Sequence, residues 1–332
     1  MRRRDFMKII AGAASAWPLE ARAQQDGRVR LIAMLSNGID GDPIQTGSLV
    51  ALRDSLAKLG WTEGRNLRIE LRYGAGSVTR VRAYAAELVG LAPEVIITSP
   101  TQATLAVQQL TKTIPIIFTA GGDPVINGVV RSLARPEANI TGFSNFEPSI
   151  AGKWLELLKE VAPGLTKVGL LYDPERSAAA VGSNYISLIE AAAPGLGLQT
   201  IKVPVRGPIE IVRTIDAFAA APNGGLLMLP PPPQGANRDI VVRLALQHRL
   251  PTIYNDRPYA AAGGLMSYGS SSVDQARRAA AYVDRLLRGA QVSDLPVQFP
   301  TKFDLVINLK TAAAIGLDIP ATLLVRADEV IE

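Results

Sequence analysis

Short polar groups stand where several apolar runs of this sequence end. In that position they offer hydrogen bonds to a small solute while the runs behind them exclude water. Ser99-Pro100-Thr101-Gln102 reads as a helix start, with serine as cap, proline at the first helical position and glutamine in the first turn. The free N–H groups and dipole of such a turn suit a carboxylate or other anion; the same residues equally serve the helix alone. Ser36-Asn37 closes an earlier run and Thr119-Ala120-Gly121-Gly122-Asp123 a later one, the small residues allowing close backbone approach. Asp123 either accepts a hydrogen bond from a ligand amine or, standing before Pro124, holds a turn, and the turn is the favoured role. Tyr172-Asp173, Leu229-Pro230, Asn255-Asp256 and Tyr268 end further runs. Asp173 or Asp256 can pair with an ammonium group through a charge-assisted bond, and Tyr172, Tyr254 or Tyr268 can supply a stacking wall.

Other chemistry is poorly supplied. The 332 residues include no cysteine and one histidine, His248, so disulfides, thiol nucleophiles and Cys-based metal sites are excluded and a His pair is impossible. His248 falls late in a helix pattern, where a cation suits the dipole. Gly195-Leu196-Gly197 lacks the third glycine of a dinucleotide fingerprint, and there is no phosphate-loop pattern. Basic residues are dispersed among acids, which argues against nucleic acid. No catalytic residue, metal or cofactor is expected.

The candidates need a scaffold, and the hydrophobic pattern describes one. From residue 28 short β-branched runs alternate with longer amphipathic segments, which indicates βαβ units and parallel sheets. Strands are expected at 29–35, 66–73, 94–99 and 114–119, with helices at 44–59, 78–91 and 101–110. The periodicity breaks near Asn139-Ile140-Thr141-Gly142, a first crossing between lobes, and a helix restarts at Lys153. Strands at 167–172, 198–203, 225–229, 251–254 and 264–269 follow, with helices at 178–193, 209–220 and 273–287. Pro230-Pro231-Pro232-Pro233 stiffens a loop at a strand end. Two doubly wound α/β lobes leave a cleft at the carboxyl ends of their strands, where ligands bind.

The amino terminus reads as an address. Arg2-Arg3-Arg4-Asp5-Phe6-Met7-Lys8 precedes a short apolar stretch and Ala21-Arg22-Ala23, the three parts of a secretory signal. Its paired arginines match the twin-arginine route. Cleavage is expected after Ala23, without a cysteine for a lipid anchor. Residues 1–23 hold five of the 35 basic residues and two of the 30 acidic ones, so the net charge of +5 becomes +2 without them.

Several motifs occur together in order: Gly60-Trp61-Thr62-Glu63-Gly64-Arg65-Asn66, Gly122-Asp123-Pro124-Val125, Ser132-Leu133-Ala134-Arg135-Pro136, Pro300-Thr301-Lys302-Phe303-Asp304-Leu305-Val306-Ile307-Asn308 and Arg326-Ala327-Asp328-Glu329-Val330-Ile331. With them the chain resembles the substrate-binding proteins of ABC transporters that include tryptophan/tyrosine-type binders, over nearly all of residues 28–332. The resemblance implies a type I periplasmic binding fold whose lobes are joined by three crossings, lobe I holding 28–143 plus 262–291 and lobe II 144–261 plus 292–332. It implies a monomeric periplasmic receptor, not an enzyme, that delivers an amino acid or related carboxylate, aromatic ones first, to ABC permease subunits. A receptor for a membrane sensor, or an enzyme on a doubly wound scaffold, are the rival readings. The loop 255–259 departs from the family pattern and leaves the ligand open.

Overall fold

The computed structural model describes residues 28–136, 138–174, 181–230 and 236–332. The expected leader at 1–23 lies outside the described residues, as do most of the tetraproline and the start of the helix expected at 178.

The first lobe is built on β1 (Arg30–Ser36), β2 (Leu67–Tyr73), β3 (Val95–Ser99), β4 (Ile116–Gly121) and β5 (Ile140–Ser144). They form a parallel sheet in the order β2-β1-β3-β4-β5. Both faces are covered, which is why the inner strands β1, β3 and β4 are nearly continuous apolar runs, while the edge strand β2 alternates. On one face lie α2 (Val78–Gly90) and α3 (Thr101–Leu110), burying Val81, Ala85, Leu88, Ala103 and Val107 against Ala33, Leu35 and Ile96. On the other lie α1 (Pro43–Lys58) and a helix from late in the chain. Asp42 caps α1 by accepting from the N–H of Ile44, and Pro43 fits the first helical position.

The second lobe has β6 (Lys167–Tyr172), β7 (Gln199–Pro204), β8 (Gly224–Met228), β9 (Thr252–Tyr254), β10 (Met266–Gly269), β11 (Asp304–Asn308) and β12 (Glu329–Ile331), in the order β12-β11-β10-β9-β8-β6-β7. Helices α4 (Ile150–Val161), α5 (Val181–Ala192), α6 (Pro208–Ala219), α7 (Ala236–Gln247) and the short α8 (Arg257–Ala261) connect its strands. Trp154, Leu155, Leu158 and Val161 form the buried stripe of α4 over Val168 and Leu170. The chain crosses between lobes after β5, after β10 and before β11, giving the expected two doubly wound α/β lobes joined by three crossings.

The structure differs from the sequence pattern in particular places. Residues 140–144, read as a break, are the buried edge strand β5; the Thr-Gly pair interrupts the apolar run because Gly142 lies against the Phe118 carbonyl, where a Cβ would stand 2.1 Å away. The segment 262–291, expected in lobe I, is divided. Its β10 pairs with β9 and β11 in the second sheet, and only α9 (Ser272–Leu287) packs on α1 in the first lobe. Residues 292–298, expected in lobe II, run beside β5, where Phe143 bridges Gln298. The second sheet is not wholly parallel, since β11 runs antiparallel to β10. The helix expected from Lys153 starts at Ile150.

Gly269, at the second crossing, is fixed by close approach: a Cβ there would lie 1.9 Å from the Asn255 carbonyl oxygen. Gly269→Ala should therefore lower the urea-unfolding free energy by about 1–3 kcal/mol through overpacking. A loss below about 0.5 kcal/mol, within the range of ordinary surface changes, would contradict this contact.

Candidate functional site

One cavity opens between the lobes at the carboxyl ends of their strands. It holds about 180 Å³ open to the centres of water molecules, on the order of ten times the roughly 10–15 Å³ that admits a single water. Of the residues singled out in the sequence, Ser36, Asn37, Ser99, Thr101 and Thr119 line it from the first lobe, and Pro230, Asn255 and Asp256 from the second.

The first-lobe groups are held by one another. Ser36 Oγ donates to Gln45 Oε1 at 2.7 Å and accepts from the N–H of Gly38 at 3.0 Å. Asn37 donates to Gln102 Oε1 and accepts from the N–H of Gly76, so its amide braces two loops. Thr119 Oγ1 donates to the Thr98 carbonyl at 3.3 Å. The expected serine cap is replaced: α3 starts at Thr101 with Pro100 at the cap position and no side-chain cap bond. Thr101 Oγ1 instead accepts from the N–H of Gly122 at 3.2 Å. The first turn of α3 still faces the cavity, since Thr101 and Gln102 both line it.

Four expected residues are not in the cavity wall. Asp123 accepts from the N–H groups of Val125 and Ile126 at 2.9 and 3.0 Å, the turn role its sequence context favoured. Tyr172 packs against the second lobe's core, and Asp173 follows it at the end of β6. Tyr268 lies against Phe303, ring centroids 5.8 Å apart, and its carbonyl accepts from Trp154 Nε1 at 2.7 Å. Tyr254 is also absent from the wall, stacked 4.9 Å from Tyr259. His248 is 2.6 Å from Asp216 Oδ1, away from the cavity.

Tyr73 lines the cavity from the first lobe, and the aromatic wall of the second comes from Trp154 and Tyr185, whose ring centroids are 5.1 Å apart. Sequence reasoning assigned neither to the site, because an aromatic on an amphipathic helix reads as core, and here both are core and wall at once. Gln275 was also missed. It is 4 % exposed, accepts from the N–H of Ala120 at 3.0 Å and donates to the Ser144 carbonyl, tying the ends of β4 and β5. A glutamine inside an otherwise alanine-rich stripe was its one signal.

Electrostatically the cavity is simple. Among the described residues that line it, Asp256 is the only charged side chain. Burial pushes its carboxyl up from an ordinary 3.8 to about 7, against the hydrogen bond from the Arg257 N–H, with the nearby charge of Asp42 adding to the rise. The Arg257 guanidinium is turned to Glu329, 2.6 Å away. Beside Asp256, the buried Oδ1 of Asn255 accepts no hydrogen bond from any described residue. Among the described residues no group of three His, Cys, Asp or Glu side chains is placed to hold a metal ion.

The lobes touch across the cleft. Ile44 of α1 joins the apolar cluster of α6, α7 and β8 in the second lobe. Next to it Asp42, with a side chain 0 % exposed, pairs at 3.0 Å with Arg238 of α7.

A model of the family described as "ABC transporter substrate binding protein" matches residues 42–331. A protein named "Tyrosine-binding protein" from Clostridioides difficile (strain R20291) is 26% identical over 280 residues, 83% of this chain and 77% of that one. A conserved domain protein from Vibrio cholerae O1 biovar El Tor is similar in structure, with TM-score 0.81 and 26% identity, covering 91% of this chain and all of that one. The ABC domain in complex with L-Trp from Streptococcus pneumoniae shares the fold, with TM-score 0.82, 24% identity and the same coverage.

Two outcomes follow from the charges. Arg238→Met removes the cation paired with the Asp42 carboxylate where the lobes meet and should lower stability by about 3 kcal/mol in urea unfolding; an unchanged midpoint would mean that the lobes do not meet there in solution. For Asp256 the folded pKa lies above the unfolded value, so its contribution to stability is full below about pH 4 and is lost as pH rises through 7. The stability of the ligand-free wild type minus that of Asp256→Asn should thus fall from pH 4.5 to 7.5, and a flat difference would refute the burial.

Proposed function

Because this chain belongs to the ABC transporter substrate binding protein family, we propose that it captures a small amine-bearing metabolite, an amino acid by default, and delivers it to the permease of an importer. The observation that carries this reading is the pairing of Asp256 with the unpartnered Oδ1 of Asn255 in a cavity otherwise without charge. An ammonium group has three donors and no acceptor, so it satisfies both oxygens and relieves the buried carboxylate. A carboxylate on the same ligand would lie across the cleft, at the first turn of α3. The relatives support an amino acid, one being named for tyrosine and another holding L-Trp.

Binding proceeds by closure. The ligand first meets the first lobe, and the second lobe then brings Asn255 and Asp256 onto its amine; the ligand favours the closed form only to the extent that it binds that form better. A Kd on the order of 1 μM corresponds to about 8 kcal/mol, within reach of one charge-assisted bond, several neutral ones and an apolar group. One carboxylate without a histidine, cysteine or lysine in the described wall suits capture without turnover. The basic, apolar and small-residue segments of residues 1–23 support export, and none of the described helices is long and apolar enough to cross a membrane. In this reading the exported protein works in the periplasm.

In a thermal-shift and calorimetric comparison, L-amino acids with apolar side chains should raise the Tm with concentration, and their N-acetyl derivatives should not. Asp256→Asn should weaken binding about tenfold to a hundredfold, the worth of a hydrogen bond to a charged group. Binding of amine-free carboxylates in preference to amines would overturn this reading.

A further inference from the structure

The cavity does not stop at the cleft; it continues into the first lobe, between the sheet and the pair α1 and α9. Parallel pairing sets two rows of side chains on that face of the sheet. Ser36 is in register with Tyr73 on one side and Ser99 on the other, and one pleat deeper Met34 is in register with Leu71 and Ile97. All six line the cavity, the polar row at its mouth and the apolar row behind it. The helices opposite descend in step. Gln45 and Ser272 stand at the mouth, Leu49 and Ala276 one turn in, and Leu52 and Ala279 a further turn down. From Ser272 to Ala279 the helix rises about 10 Å, at 1.5 Å per residue.

The gap is made by small side chains. α1 and α9 approach closely, a Cβ on Gly47 standing 3.5 Å from Val273 Cγ2, yet Ala276 and Ala279 carry only a methyl group each toward the row of Met34, Leu71 and Ile97. Met34, Leu49 and Leu71 are partly exposed and form the walls of this recess, while Leu52, Ala279 and Ile97 are nearly covered and form its floor, where the recess meets the lobe's own core cluster. Protein interiors are packed with few voids larger than a water, and an apolar recess that opens onto a binding cleft is shaped to receive an apolar group.

Resting on the amine reading above, we propose that the ligand's apolar side chain enters the first lobe itself, between β1 and the α1–α9 pair, while its amine remains at the mouth for Asp256 and Asn255. Side-chain size is then selected by one lobe and the amine by the other. The recess carries no charged residue among those described, so it takes large uncharged side chains, aromatic or aliphatic, and rejects basic and acidic ones.

Indole, which has neither amine nor carboxylate, probes the recess alone. By calorimetry or ligand-observed NMR, wild type should bind it, and Ala279→Leu, which raises the floor of the recess, should weaken binding at least tenfold. Should Ala279→Leu not fold, Ala276→Val narrows the same gap with fewer atoms and should weaken indole several-fold. Absence of indole binding by wild type, or unchanged affinity in the filled variant, would overturn the recess. The amine reading fails on a different result, an Asp256→Asn protein that holds L-phenylalanine as tightly as wild type.

Discussion

A half-buried carboxylate in the cleft between two lobes, whose neighbouring guanidinium is committed elsewhere, is the constraint around which the site is arranged. Asp256 could have been neutralised by its neighbour, but the Arg257 guanidinium is committed to Glu329. Its other charged neighbour, Asp42, is of the same sign and is itself balanced by Arg238. Burial of a charge is costly, and with one backbone N–H as its hydrogen-bond donor Asp256 is left with a demand that a proton or a cation in the cleft meets. Asn255, whose Oδ1 accepts no hydrogen bond from a described residue, adds a second acceptor in neutral form.

The fold places this group beside a crossing between the lobes. Asn255 and Asp256 follow β9, and Gly269 at the second crossing lies against the Asn255 backbone, so the acceptors sit on the second lobe next to a connection to the first. The facing wall is different in kind. Ser36, Asn37, Thr101 and Thr119 are tied into the first lobe by their own hydrogen bonds, which makes a preorganised surface that costs little to order on binding. On the proposed reading, the first lobe would read the shape of a solute and the second lobe its charge.

Much of this was legible in the sequence, for identifiable reasons. Parallel strands buried on both faces give continuous runs, so β1, β3, β4, β6 and β8 stood out, and the polar residues Ser36, Asn37, Ser99 and Thr119 at the ends of the first three fell at the cleft, whereas Asp123 and Asp173 did not. Residues whose roles depend on distant partners were not legible. Nothing local distinguishes Asp173 from Asp256, since both follow a strand ending in aromatic or polar residues; only the packing of β9 against β10 brings the latter to the cavity. The same holds for Ser99, whose neighbours resemble a capping box although the helix begins after Pro100, and for β10, whose placement in the second sheet is decided by pairing with β9 and β11. Trp154 and Tyr185 were hidden by doing two things at once.

Whether an amine sits at Asp256 is measured directly by a crystal structure of the protein with a bound apolar amino acid. The ligand nitrogen should lie about 2.7–2.9 Å from an Asp256 carboxylate oxygen, the range of a charge-assisted bond, within reach of Asn255 Oδ1 and with the side chain between Met34 and Ala279. A ligand whose amine points to the first lobe, leaving Asp256 facing water or a carboxylate, would contradict this placement.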